Sequence, residues 1–227
     1  MLMIHSAMAA MTGAGVSSEP VGQALFTTNG TTSWVVPEGV KSVCLVAISK
    51  GGGSGNDGER WWSGAGGGLA YRNDVPVTPG EVLTVLIQST VTGEVRINRG
   101  TTKLCAAANA NRDTLPGQGT VGAVLRKGGP GWFDWQPSGL PGGGAAGYSS
   151  DGQSAIGIQG SNGGGGTSPN GGGPGAAANV APTVSGLPYG GGSGTLNGNS
   201  APGAVGCVRV IWGPGRAFPN TLTEDMS

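Results

Sequence analysis

The residues able to do chemistry are few. His5 is the only histidine, and it stands in a Met/Ala-rich segment away from any Ser or Cys in a recognisable setting. Nucleophilic triads and most acid–base relays need a histidine beside the nucleophile, so acyl-transfer chemistry is not indicated. Cys44, Cys105 and Cys207 are odd in number and far apart. Each sits among apolar neighbours: Val-Cys-Leu-Val, Leu-Cys-Ala and Gly-Cys-Val-Arg-Val. They read as buried free thiols acting as small hydrophobes. A structural zinc needs about four ligands brought together, and with the cysteines far apart and the only histidine, His5, out in the amino-terminal segment, no metal is expected. Asp57, Glu59, Asp74, Glu81, Glu94, Asp113, Asp134 and Asp151 are numerous enough for the paired carboxylates of glycoside cleavage. None stands in a recognisable context, and loop or cap roles are the simpler reading. The Gly-x-Gly matches lack the following helix that a phosphate-binding loop requires. The expectation is a non-enzymatic protein with no catalytic residue and no cofactor.

The aromatic residues carry more information. Trp61-Trp62 lies between two glycine runs, and Trp132-Phe133-Asp134-Trp135 interrupts a glycine-rich stretch between Gly131 and Pro137. Large rigid rings on loops give contact area at little cost in side-chain entropy, as binding surfaces require. Trp61, Trp62, Trp132, Phe133, Trp135, Tyr148 and Tyr189 are therefore the candidate contact residues. The other reading is that the same rings staple glycine loops to the core. Trp34 and Trp212 lie in strand-like runs and are expected in the core.

Composition narrows the class. Glycine takes 49 of 227 positions, roughly three times the usual share of about 7%. Charged residues make up only 11%, against about 25% in ordinary globular proteins. Twelve basic residues balance twelve acidic ones and are scattered along the chain, which argues against a nucleic-acid partner held by phosphate neutralisation. No run approaches the roughly 18 apolar residues that a spanning helix needs, so no membrane insertion is expected. Met1 to Met11 lacks the basic start of a secretory signal, which points to synthesis and retention in a cytoplasm.

Four compositional blocks follow. Residues 1–20 form an apolar segment ending at Ser17-Ser18-Glu19-Pro20, read as a docking or oligomerisation arm, the other reading being a frayed or irregular terminus. Residues 21–127 read as β-structure. Leu25 to Thr28, Asn29-Gly30 and Ser33 to Val36 look like a hairpin. Val43 to Ile48 is apolar at every position, the pattern of a strand buried on both faces. Leu69–Val77, Val82–Ser89, Glu94–Asn98 and Lys103–Ala108 continue at short spacing, giving an all-β sandwich or jelly-roll-like scaffold. Residues 128–206 contain 27 glycines and, as charges, only Asp134 and Asp151. Without a Gly-X-Y period this block is not collagen. It is either a linker or a packed array of extended segments, polyglycine II being one such packing. The strand at Gly206 to Trp212 favours order, because it must pair back into the amino-terminal sheet. Residues 207–227 comprise this strand, a turn at Gly213-Pro214-Gly215-Arg216 and a polar tail.

The spaced set Phe26-Thr-Thr-Asn-Gly-Thr-Thr-Ser-Trp-Val-Val-Pro-Glu-Gly-Val-Lys-Ser-Val, Gly51-Gly52-Gly53, Gly66-Gly67-Gly68-Leu-Ala-Tyr-Arg-Asn, Val77-Thr-Pro-Gly-Glu, Pro141-Gly-Gly-Gly-Ala-Ala-Gly-Tyr and Val208-Arg-Val-Ile-Trp-Gly with Arg216-Ala-Phe-Pro resembles the glycine-rich tail-fibre and adhesin domains of tailed bacteriophages. The resemblance spans about residues 25 to 219. The sequence departs from the family pattern at Ser49-Lys50, before a short glycine run, and in the glycine-poor stretch from Leu86 to Leu125. The resemblance implies a virion protein of the tail, assembled in the host cytoplasm. In related distal adhesins of T-even-like phages, stacked polyglycine II segments carry host-range loops. The implied partners are other virion tail proteins and a host cell-surface protein or glycan, with a homotrimer as one assembly. The alternative is a baseplate, collar or decoration protein without receptor contact.

Overall fold

Ser42–Ile48 is a strand whose last six residues are all buried. The reason lies in its position, third of five in a sheet covered on both faces. In the computed structural model, residues 19–112, 114–135, 139–156, 163, 185–195 and 199–219 are described. They form a sandwich of antiparallel sheets, with no helix among them. In chain order the strands are β1 (Gly22–Phe26), β2 (Gly30–Val35), β3 (Ser42–Ile48), β4 (Gly55–Asn56), β5 (Trp61–Trp62), β6 (Leu69–Pro76) and β7 (Val82–Ile87). They continue with β8 (Glu94–Arg99), β9 (Thr102–Ala108), β10 (Gln118–Val121), β11 (Val124–Arg126), β12 (Phe133–Asp134) and β13 (Cys207–Trp212).

One five-stranded sheet runs β1-β13-β3-β6-β11 and the other β10-β9-β8-β7-β2. Strand alternation builds the core between them. Val43, Leu45 and Ala47 of β3 and Val208 and Val210 of β13 face Leu83, Val85 and Ile87 of β7 and Val95 and Ile97 of β8. Trp34 and Trp212, ring centroids 5.7 Å apart, pack against the same core. The alternate residues Cys44, Val46, Ile48, Leu69, Tyr71 and Ile211 lie on the first sheet's other face, under Ala146, Tyr148 and Phe218.

From the Ile48 end of that sheet the chain leaves as extended glycine-rich segments. Their backbone bonds recur every third residue. Ser63 and Gly66 donate to the carbonyls of Trp132 and Gly129, while Gly64 and Gly67 donate to those of Ser193 and Gly190. The carbonyls of Gly64 and Gly67 accept from Gly143 and Ala146, and those of Ala65 and Gly68 from Gly52 and Ser49. The Gly66 carbonyl also accepts from Gly117, so residues 63–68 bond to five neighbouring segments, whereas a β-strand bonds to two. With a three-residue recurrence, successive backbone groups point to successive neighbours. The spacing demands glycine: a Cβ on Gly64 would lie 1.8 Å from the Gly52 carbonyl oxygen, and one on Gly66 1.8 Å from that of Gly144. Where serine replaces glycine inside the array, its hydroxyl is used. Ser193 Oγ accepts from the Ser54 amide at 2.6 Å and donates to the Ala201 carbonyl at 2.9 Å.

The expected all-β sandwich is present, and the strand after the glycine block returns to the sheet between β1 and β3. The predicted hairpin across Asn29-Gly30 is not. β1 pairs with β13 and β2 with β7, so this turn carries the chain from one sheet to the other. The array also draws on two compositional blocks, since residues 49–54 and 63–68 belong to the stretch read as scaffold. Residues 1–18, most of 157–184 and 220–227, parts of the predicted arm, glycine block and tail, lie outside the described residues.

Candidate functional site

Strands β3 and β6, glycine segments 49–54 and 63–68 and strands β4 and β5 form one long hairpin. Its pairing runs from Ser42–Pro76 through Ile48–Leu69 and the Gly52–Ala65 bond to Asn56–Trp61. Trp61-Trp62 therefore lies at the tip, a full glycine segment away from the sandwich. The tip turn is held by Asp57, whose Oδ1 accepts from the amides of Arg60 at 2.8 Å and Glu59 at 3.3 Å. These bonds, the Arg60 amide first, hold the Asp57 carboxyl below the usual carboxylate range. Gly58 completes the turn at φ +95°, a left-handed value that favours glycine.

The two aromatic clusters, separate in the sequence, meet here. β12 adds to β5, placing Phe133 opposite Trp62 and Asp134 opposite Trp61 in a three-stranded sheet, β12-β5-β4. Side-chain alternation puts Trp62 and Phe133 on one face and Trp61 and Asp134 on the other. The approach of β12 is fixed by Ser63, whose Oγ accepts from the Trp132 amide at 2.7 Å while its own amide donates to the Trp132 carbonyl at 2.8 Å. Trp132, Phe133 and Trp135 are 39%, 41% and 62% exposed, and Trp61 and Trp62 are half-buried.

Two arginines, not singled out from the sequence, join the rings. Arg60 lies 5.1 Å from the Phe133 centroid and 5.9 Å from that of Trp62, and Arg112 lies 5.1 Å from the Trp62 ring. Such cation–π contacts are worth about 1 kcal/mol each at partly exposed sites. Their greater effect is to fix guanidinium planes against the patch. No local signal in the sequence marks Arg112, because a bridge between Arg112 and Gly64 brings it alongside the hairpin.

Tyr148 and Tyr189 do not join this surface. Tyr148 is 1% exposed and stacks on Phe218 at 4.9 Å with 12° between the planes, with Tyr71 at 6.2 Å. The descending segment that contains Ala146 delivers Tyr148 under the sheet, so it is a core residue and not a contact residue. Tyr189 is half-buried and packs on that same cluster. The three cysteines are buried thiols and form no disulfide, and among the described residues no group of His, Cys, Asp and Glu is arranged to hold a metal. No helix among the described residues is long and apolar enough to cross a membrane.

The tip thus offers flat apolar area bordered by cations on a braced backbone, a surface suited to contact. No protein-family model matches the chain, and a search of curated proteins finds no match.

Proposed function

We propose that the protein is a structural component of a tailed-phage virion, a tail-fibre or tail-tip protein that presents the aromatic tip to a receptor on the host surface. The observation that carries this reading is the joining of Trp62 and Phe133 at the end of a glycine-braced hairpin. An exposed aromatic patch on a monomer is a recognition surface by its physics, since rings left in water gain free energy when a partner covers them. Bracing the backbone by hydrogen bonds from several segments means that little order remains to be acquired on binding.

The polarity of the molecule supports the same reading. The chain enters the sandwich at Gly22, opposite Trp212, whereas Cys207, at the other end of β13, lies opposite Ile48 where the glycine segments depart. The described chain therefore enters the sandwich at the end remote from the tip, which suits an attachment to other tail proteins at that end. In this reading the glycine segments are a polyglycine II array, and the protein carries no catalytic function.

The test is adsorption. Purified protein is expected to bind host cells and to compete with phage for them, and Trp135→Ala with Phe133→Ala is expected to abolish both effects while costing no more stability than the Arg60–Phe133 contact, about 1 kcal/mol. Wild-type protein that neither binds cells nor slows adsorption would overturn the receptor role. Protection of the tip rings inside intact virions would instead assign the patch to an interface between tail proteins.

A further inference from the structure

Beside the aromatic tip, an open groove of ≈ 460 Å³ lies along the hairpin flank, between Lys50, Trp62, Asn111 and Arg112, with Val91 and Leu115 as an apolar rim. Its size falls within the roughly 300–1,000 Å³ of small-ligand sites. Segments far apart in the sequence build it, and one buried side chain ties three of them together. Asn109, 8% exposed, accepts from the Lys50 amide at 3.1 Å and donates to the Gln88 and Thr90 carbonyls at 2.7 and 2.8 Å. The Ala110 amide donates to the Lys50 carbonyl at 2.9 Å, and the Leu115 amide to that of Arg112 at 3.1 Å. The walls are therefore set before a ligand arrives.

Among the described lining residues Lys50 and Arg112 carry the charge, and none is acidic. Lys50 is half-buried, its Nζ donating to the Gly51 carbonyl at 3.2 Å, and burial pulls its ammonium below the usual lysine range, a loss of solvation that a bound anion would offset. Arg112 rests on Trp62, which engages the flat face of a guanidinium, while guanidinium donors lie in its plane, the direction from which carboxylate and phosphate bind. Val91 and Leu115, 51% and 55% exposed, offer apolar surface to a ring beside the anion.

We infer that this groove binds an acidic saccharide, with its carboxylate or phosphate between Lys50 and Arg112 and its ring against the apolar rim. The inference rests on the adhesin reading for the choice of a saccharide, and it adds the ligand class and a binding position beside the exposed rings.

The experiment is a calorimetric titration of the full chain with three probes: trigalacturonate for the carboxylate, mannose 6-phosphate for the phosphate, and neutral galactotriose. Saturable binding of at least one acidic probe, absent for the neutral one and weakened by salt, is expected. Lys50→Gln and Arg112→Gln should each weaken it about tenfold or more, the scale of a lost charged hydrogen bond. Lys50→Gln makes no change at Trp62, so it tests the site even if Arg112→Gln loosens the tip. Equal binding of neutral and acidic probes, no acidic binding at millimolar concentration, or full affinity in the Lys50→Gln variant would overturn the assignment. If cells are bound but acidic probes are not, this inference fails and the adhesin reading stands; acidic binding with no cell binding gives the reverse.

Discussion

Phe133 stands directly opposite Trp62 across the β12–β5 pair, so two aromatic clusters widely separated in the sequence form one surface. Exposed rings at the centre of an interface typically cost about 2 kcal/mol or more when truncated, some thirtyfold in affinity. Trp135, at 62% exposure, contributes little to the fold. Trp135→Ala is expected to lower host-cell binding by that order while leaving stability within about 0.5 kcal/mol of wild type. Cell-binding isotherms and thermal melts on the same protein check both halves.

Tyr148 predicts the opposite pattern. Stacked on Phe218 and 1% exposed, it should destabilise the protein by about 3–5 kcal/mol when changed to Ala, as buried aromatic truncations do. At a temperature where the variant remains folded, its cell binding should equal that of wild type. Urea denaturation gives the first quantity, and the binding isotherm the second.

The glycine array allows a graded test. A Cβ at Gly64 would lie 1.8 Å from a backbone oxygen, which cannot be relieved by turning a side chain, whereas at Gly53 the nearest atom, also a backbone oxygen, is 3.2 Å away. Gly64→Ala is expected to cost about 3 kcal/mol or more, at or beyond the upper end of overpacking penalties, and Gly53→Ala about 1 kcal/mol. Because Gly64 bonds to Ser193 and Gly143, the damage should appear first as faster amide exchange in those segments. Hydrogen exchange resolved by mass spectrometry measures it.

The sandwich could be read from the sequence where its physics is local. Val43 to Ile48 shows two-faced burial in its unbroken apolar run, whereas Val82 to Ile87, apolar at five of six positions, reads as a strand whose single inward face emerges only from its place in the second sheet. The partners of β1 and β2 could not be read, because Asn29-Gly30 specifies a turn and not which sheet each arm joins. Both aromatic clusters stand out by residue type, yet their meeting depends on the bonds of Ser63 and Gly66 to Trp132 and Gly129. Tyr148 shares the glycine-rich context of the exposed rings, and only its place in a descending segment buries it. Arg112 and Lys50 looked like scattered charges because the loop that unites them is tied by the single side chain of Asn109.

The cysteines give a probe of opening. Cys44, Cys105 and Cys207 are 3%, 0% and 1% exposed, and burial pushes the Cys105 thiol up to about 12. Thiolate is the reactive form, so at neutral pH all three should be silent toward a disulfide reagent in the native protein. Labelling should rise to three thiols per chain in denaturant, at a midpoint that matches the loss of intrinsic fluorescence. Fast labelling of any one of them under native conditions would reveal local opening of its strand.

Acid sensitivity should arise on the outer face of the second sheet. Burial pushes the Glu94 carboxyl up, but its hydrogen bonds from Lys103, at 2.8 Å, and Arg96 outweigh this and leave it below the ordinary glutamate range. Glu81 is lowered in the same sense, first by the hydrogen bond from Arg99. A carboxyl depressed on folding is more acidic in the native state than in the unfolded chain. It therefore contributes stability that is complete above the unfolded value, about 4.3, and lost as pH falls through the lower native value. Urea midpoints of wild type should thus drop between pH 5 and pH 3, and Glu94→Gln, with Glu81→Gln, should flatten that slope while lowering stability at pH 7. An unchanged slope in the double variant would locate the acid response elsewhere, because Glu94 joins Lys103 and Arg96 across β8 and β9 and its protonation is the step that would release them.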